Sequence, residues 1–94
     1  MSNPDRITLI RERLTAALSP AKMDIIDDSH KHVGHAGARG GGGHFTVTIV
    51  ADAFEGKGLL QRHRMVYAAL DSAMQSEIHA LSIQAYTPQE VSSS

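Results

Sequence analysis

From Ser29 to Gly43 the chain shows neither helical nor strand periodicity, and in a protein of 94 residues so long an irregular stretch limits what the rest can build. Loops of that length are uncommon inside compact domains and are mostly functional or disordered. The stretch carries His30, His32 and His35 among Gly34, Gly37 and the run Gly40 to Gly43, and His44 follows at once. Four of the chain's six histidines thus fall between His30 and His44. What remains suffices for one domain and leaves no room for a second. Hydrophobic residues make up 41% of the chain, an ordinary globular share, and no apolar run approaches the roughly 18 residues of a membrane span. A chain of this size buries only about 60–65% of its unfolded surface, which disfavours a deep enzyme cleft and favours a binding module.

The flanking segments are periodic. Asn3 suits a helix N-cap, Pro4 the first helical position and Asp5 the dipole, and Ile7, Ile10, Leu14, Ala17 and Leu18 recur at helical spacing until Ser19-Pro20. Lys22 to Asp28 reads as a strand. Phe45, Val47 and Ile49 alternate with Thr46, Thr48 and Val50, the pattern of a strand with one buried face. After a turn over residues 52–58, residues 59–74 form one or two helices with Leu59, His63, Val66, Tyr67, Leu70, Ala73 and Met74 as the inward stripe. Ile78 to Tyr86 is a third strand, with Leu81, Ile83 and Ala85 on one face and His79 sharing their parity, and Thr87-Pro88 stops it. The expected architecture is α+β, a three-stranded mixed sheet with helices on one face, whose last two strands are joined by a right-handed helical crossover. The domain occupies residues 1–94, with a core over 4–88 and a frayed tail over 89–94. The first residues match no secretory signal or transit peptide, which points to the cytoplasm.

Nine Lys and Arg against ten Asp and Glu leave a formal charge of -1, so no global basic field draws the chain to nucleic acid. There is no cysteine. Disulfides, thiolate zinc sites, thiol redox chemistry and a self-sufficient iron–sulfur site are thereby excluded, and any metal must use imidazole, carboxylate or thiolates from a partner. Asp28-Ser29-His30 has the residue types of a hydrolase triad without a nucleophile elbow. The Gly40–Gly43 run lacks the Lys-Ser/Thr of a phosphate loop and leads into a strand. Gly56-Lys57-Gly58 precedes a helix, and Lys57 with Arg62, His63 and Arg64 makes a local basic patch that fits a nucleic-acid contact or a solvated helix start equally. The four aromatics, Phe45, Phe54, Tyr67 and Tyr86, form no base-stacking platform. His44 reads as structural and His63 as a packing histidine satisfied by backbone. His79 differs, because it opens a strand at the end over which the long loop can fold, so a loop imidazole meeting it would make a site with open positions.

These residues resemble a known family from Leu9 to Pro88. Asp27-Asp28-Ser29-His30-Lys31-His32-x-Gly34-His35, His44-Phe45, Phe54-x-Gly56-Lys57, Arg62-His63-Arg64-x-Val66-Tyr67, Ile78-His79-Ala80-Leu81 and Thr87-Pro88 are similar, in that order, to the motifs of the BolA family. The resemblance implies an αββααβ fold similar to a class II KH domain. It implies a non-enzymatic adaptor that pairs with a monothiol glutaredoxin and shares a [2Fe-2S] cluster with it and with glutathione. Imidazoles would replace thiolates on one iron, as in a Rieske centre, and none of the cluster would be held tightly by the isolated, monomeric chain. By the same resemblance His79 is the first ligand and His35 the second, with His32 and His30 as alternates. The family is also described as DNA-binding transcriptional regulators, and Lys57, Arg62, His63 and Arg64 would then make that contact. Gly58 stands where a Ser is common, a weaker helix cap.

Overall fold

The computed structural model describes residues 3–28, 43–76 and 78–92. Helix α1 spans Asn3–Leu18. Its first turn holds Pro4, whose carbonyl accepts a hydrogen bond from Thr8 Oγ1 at 3.1 Å, and its inner face buries Ile10 and Leu14 completely. Ala17, expected inward, is exposed. The helix stops where Ser19 takes a positive φ of 46° and donates its N–H back to the Thr15 carbonyl at 3.0 Å, with Pro20 unable to continue the ladder.

Strand β1 (Lys22–Asp27) pairs antiparallel with β2 (Gly43–Val50), which pairs parallel with β3 (Ile78–Tyr86), in the spatial order β1-β2-β3. The mixed sheet and the parallel crossover are as the periodicity predicts. Alternation along β2 puts Phe45, Val47 and Ile49 under the helices and leaves His44, Thr46 and Thr48 half-buried on the other face, where Ala80, Ser82 and Gln84 of β3 are exposed. The covered face, with Ile10, Leu14, Phe54, Val66 and Leu70 packed on it, is the core.

Beyond β2 a short 3-10 turn, Asp52–Phe54, drives the Phe54 ring into the core. Gly56 then reverses the chain at φ 73°, a backbone conformation that L residues rarely adopt. Helix α2 runs Leu59–Leu70 and α3 Ala73–Ser76. They are separated at Asp71, which adopts φ 49° and closes α2 by donating its N–H to the Tyr67 carbonyl at 2.9 Å. The inward stripe is narrower than expected. Val66, Leu70 and Ala73 are buried and His63 and Met74 half-buried, but Leu59 is 68% and Tyr67 42% exposed.

The expected frayed tail is also corrected, because Pro88–Ser92 form a fourth helix, α4. Thr87-Pro-Gln-Glu90 is a capping box. Thr87 N–H donates to Glu90 Oε1 at 2.8 Å, and Glu90 N–H to Thr87 Oγ1 at 3.2 Å.

Candidate functional sites at the two ends of the sheet

At one end of the sheet, residues 29–42 leave β1 and enter β2. The departure point is fixed twice: Asp28 N–H donates to the His44 carbonyl at 2.8 Å, and its carboxylate accepts from Thr46 Oγ1. The re-entry point, Gly43, is paired with Ile78 of β3. The next pair along is His44 with Ala80, so the ladder is irregular here and His79 is the extra residue on β3. Such bulges interrupt pairing and re-aim the chain, and they gather beside functional sites. The backbone of His79 therefore lies at the sheet end to which both stems of the 29–42 stretch are tied. His30, His32 and His35 lie outside the described residues. Among the described residues no three His, Asp or Glu side chains converge in a way that would hold a metal. With no thiol in the sequence, a metal held by this chain would have to use its imidazoles, carboxylates or thioethers, or thiolates from another molecule.

The other end of the sheet carries the start of α2 and the four basic residues singled out from sequence, and the structure separates them. Arg62 turns inward, its side chain 12% exposed. Its Nε donates to the Lys57 carbonyl at 2.8 Å, Nη1 to the Ala85 carbonyl at 3.0 Å, and Nη1 and Nη2 form a fork on Glu90 at 2.7 and 3.1 Å. Its guanidinium carbon also lies 5.9 Å from the centre of the Phe54 ring. Four of the five N–H donors of a guanidinium are thus committed inside the molecule. The Arg62 hydrogen bond, followed by that from the Thr87 N–H, holds the Glu90 carboxyl well below its usual 4.5, at about 2. His63 is half-buried, and its Nε2 is buried with no hydrogen-bond partner among the described residues, so the expected backbone satisfaction is not met at that atom. Arg64 is exposed and Lys57 half-buried.

Arg64 shares its surface with apolar neighbours. Leu59 and Leu60 are 68% and 64% exposed, and with Arg64, Met65 and Ala68 they line an open groove of about 680 Å³. Gly58 caps α2 in an extended conformation without a side-chain hydrogen bond. The pattern of residues 59–74 foretold a helix with an inner stripe but gave no sign that the leucines at its start face outward. The Thr87–Glu90 box, by contrast, was a readable signal of α4.

Fold and site together define a class: a small α+β domain of KH-like architecture, αββααβ with a short C-terminal helix added, joined at one sheet end to a histidine-bearing stretch. A family model described as BolA-like protein matches residues 14–90, and the chain belongs to that family. It is 47% identical over 87 residues to SufE-like protein 1, chloroplastic/mitochondrial, of Arabidopsis thaliana, a match covering 87% of this chain and 24% of that protein. It is 38% identical over 81 residues to the DNA-binding transcriptional regulator BolA of Escherichia coli K12, covering 86% of this chain and 74% of that one. The chain spans about half, 56%, of the length of other plant and animal relatives. In three dimensions it superposes on the BolA domain of SufE1 from Arabidopsis thaliana with a TM-score of 0.80 and 42% identity, over 96% of this chain and 98% of that domain. No helix among the described residues is long and apolar enough to cross a membrane.

Proposed function

We propose that this chain is a non-enzymatic, cytoplasmic adaptor that binds a monothiol glutaredoxin and co-ligates a [2Fe-2S] cluster, in iron–sulfur trafficking or in iron and redox regulation. His79 supplies one imidazole and His35 the other, with His32 and His30 as alternates. Glutaredoxin and glutathione supply the thiolates of the second iron. The observation that carries the reading is the bulge that sets the His79 backbone at the sheet end where Asp28 and Gly43 anchor the histidine-bearing stretch. The absence of any thiol supports it, because a chain without cysteine cannot supply the thiolates of such a cluster and needs a partner to provide them. When bound, the cluster supplies the iron and its redox chemistry. The chain's own part is to present neutral imidazoles, so affinity for the cluster falls as pH drops through the histidine range.

The test is to mix the protein with cluster-loaded monothiol glutaredoxin and record visible absorption and circular dichroism. Wild type changes both spectra, and His79→Ala abolishes the change. A wild-type response from the alanine variant would overturn the assignment. A DNA-binding reading, suggested by the name of the bacterial relative, rests on Lys57 and Arg64, since Arg62 is spent on Glu90 and the Nε2 of His63 is buried. It requires a steeply salt-dependent affinity that falls when both cations are removed.

A further inference from the structure

We infer that the outer face of the first two turns of α2 is a docking surface for a protein segment that combines apolar side chains with carboxylates. Among the described residues the fold uses this face only at its edge, where the half-buried Met65 also packs against the core. Val66 and Leu70 are the residues of α2 buried in the core, whereas Leu59 and Leu60, consecutive and 68% and 64% exposed, lie in water beside Met65 and Ala68. Single exposed leucines are ordinary, but grouped ones lining a groove mark an interaction site.

Charge selects the occupant. Arg64 lines the groove, no carboxylate does, and Lys57 stands one residue before the Gly58 cap. Gly58 offers no side chain to the first N–H groups of the helix, which favours an arriving carboxylate further. A nucleic acid fits less well: it would bury two leucines under phosphate or sugar, find no aromatic ring in the groove to stack on, and gain little from Arg62, whose donors are committed.

Position makes this surface separate from the histidine end. Arg62 joins the start of α2 to Ala85, six residues along β3 from His79, which at about 3.3 Å per residue is roughly 20 Å. A partner in the groove and a partner at His79 can be held together, and the inference does not rest on the glutaredoxin reading.

The test is selection of a displayed random-peptide library on the purified full chain, followed by synthesis of the enriched peptides. Binding is measured by fluorescence anisotropy and mapped by backbone amide shifts. Enriched peptides should pair Leu, Ile, Met or Phe with Asp or Glu and shift amides in the first two turns of α2. Leu60→Asp and Arg64→Glu should each weaken them by about tenfold or more with the melting temperature unchanged. The Arg64→Glu loss should be reversed by peptides carrying Lys in place of the acidic residues, a swap that a merely structural role would not reward. His79→Ala should bind them as wild type does. No enrichment, basic peptides, amide shifts away from α2, or a DNA duplex that shifts these amides when no peptide does would each overturn the inference.

Discussion

Arg62 shows how little a side chain's formal charge says about its role. In the sequence it is the centre of a basic patch; in the fold it is a bracket between the start of α2, the end of β3 and α4. Its partner carries the consequence for pH. The folded-state Glu90 pKa, about 2, lies below the usual 4.5. The stability this pair contributes is therefore present above the ordinary carboxylate range and is lost as pH falls from there through about 2. We expect the Glu90 carboxyl, followed by NMR, to titrate near the lower value in wild type and higher in Arg62→Gln, though still below the ordinary value because the Thr87 N–H continues to donate to it. The two glycines before α2 act through the backbone. Gly56→Ala should destabilise by about 1–2 kcal/mol in denaturant unfolding, because its φ of 73° is left-handed although a Cβ there meets nothing within 4 Å. Gly58→Ser, in an extended cap conformation with open space around it, should stabilise by about a few tenths of a kcal/mol.

At the level of elements, the strands were the most legible part of the chain. The alternation of Phe45, Val47 and Ile49 gave β2 its buried face, and β3 begins and ends at the residues its pattern marked. The helices were read less well, for two physical reasons. A single residue at positive φ, Asp71, divides α2 from α3; Asp tolerates that region better than most residues, but the tolerance does not by itself say that the helix must break there. The apolar residues at the start of α2 fit a helical stripe by spacing, yet which of them meets the sheet depends on where the helix crosses it. Helix α4 was missed although its capping box was in view, because a five-residue helix is marginal alone and here needs Arg62 to hold it. Arg62→Ala and Glu90→Ala should each lower the melting temperature. The double variant should lose less than the sum of the two, since either change alone removes the shared fork. Additive losses would mean that α4 is secured by other contacts.

For the whole molecule, one core lies between one face of the sheet and the helices, and its thin supply of aromatic rings makes each one matter. Phe54→Ala removes a fully buried ring at about 3–5 kcal/mol, against about 5–15 kcal/mol for a typical domain, so its thermal unfolding should begin at markedly lower temperature or the chain should fail to fold. The order of elements made it legible that His79 begins β3 at the sheet end where the histidine-bearing stretch enters and leaves. Periodicity and composition could not name a partner, because they report how this chain folds and not what another protein would add to it; the glutaredoxin expectation came from the family resemblance alone. Among the described residues the spatial order β1-β2-β3 also leaves β3 as an edge strand. The Tyr86 carbonyl accepts from Ala51 N–H, beside β2. Carbonyls alternate sides along a strand, so that of Ala85 points outward, where Arg62 occupies it. An unpaired strand edge is a template for other chains. Loss of Arg62 should thus make the protein sticky before it makes it unstable: light scattering of Arg62→Leu should report self-association at temperatures where its circular dichroism is still native, and a variant that stays monomeric until it melts would show that the bracket guards nothing.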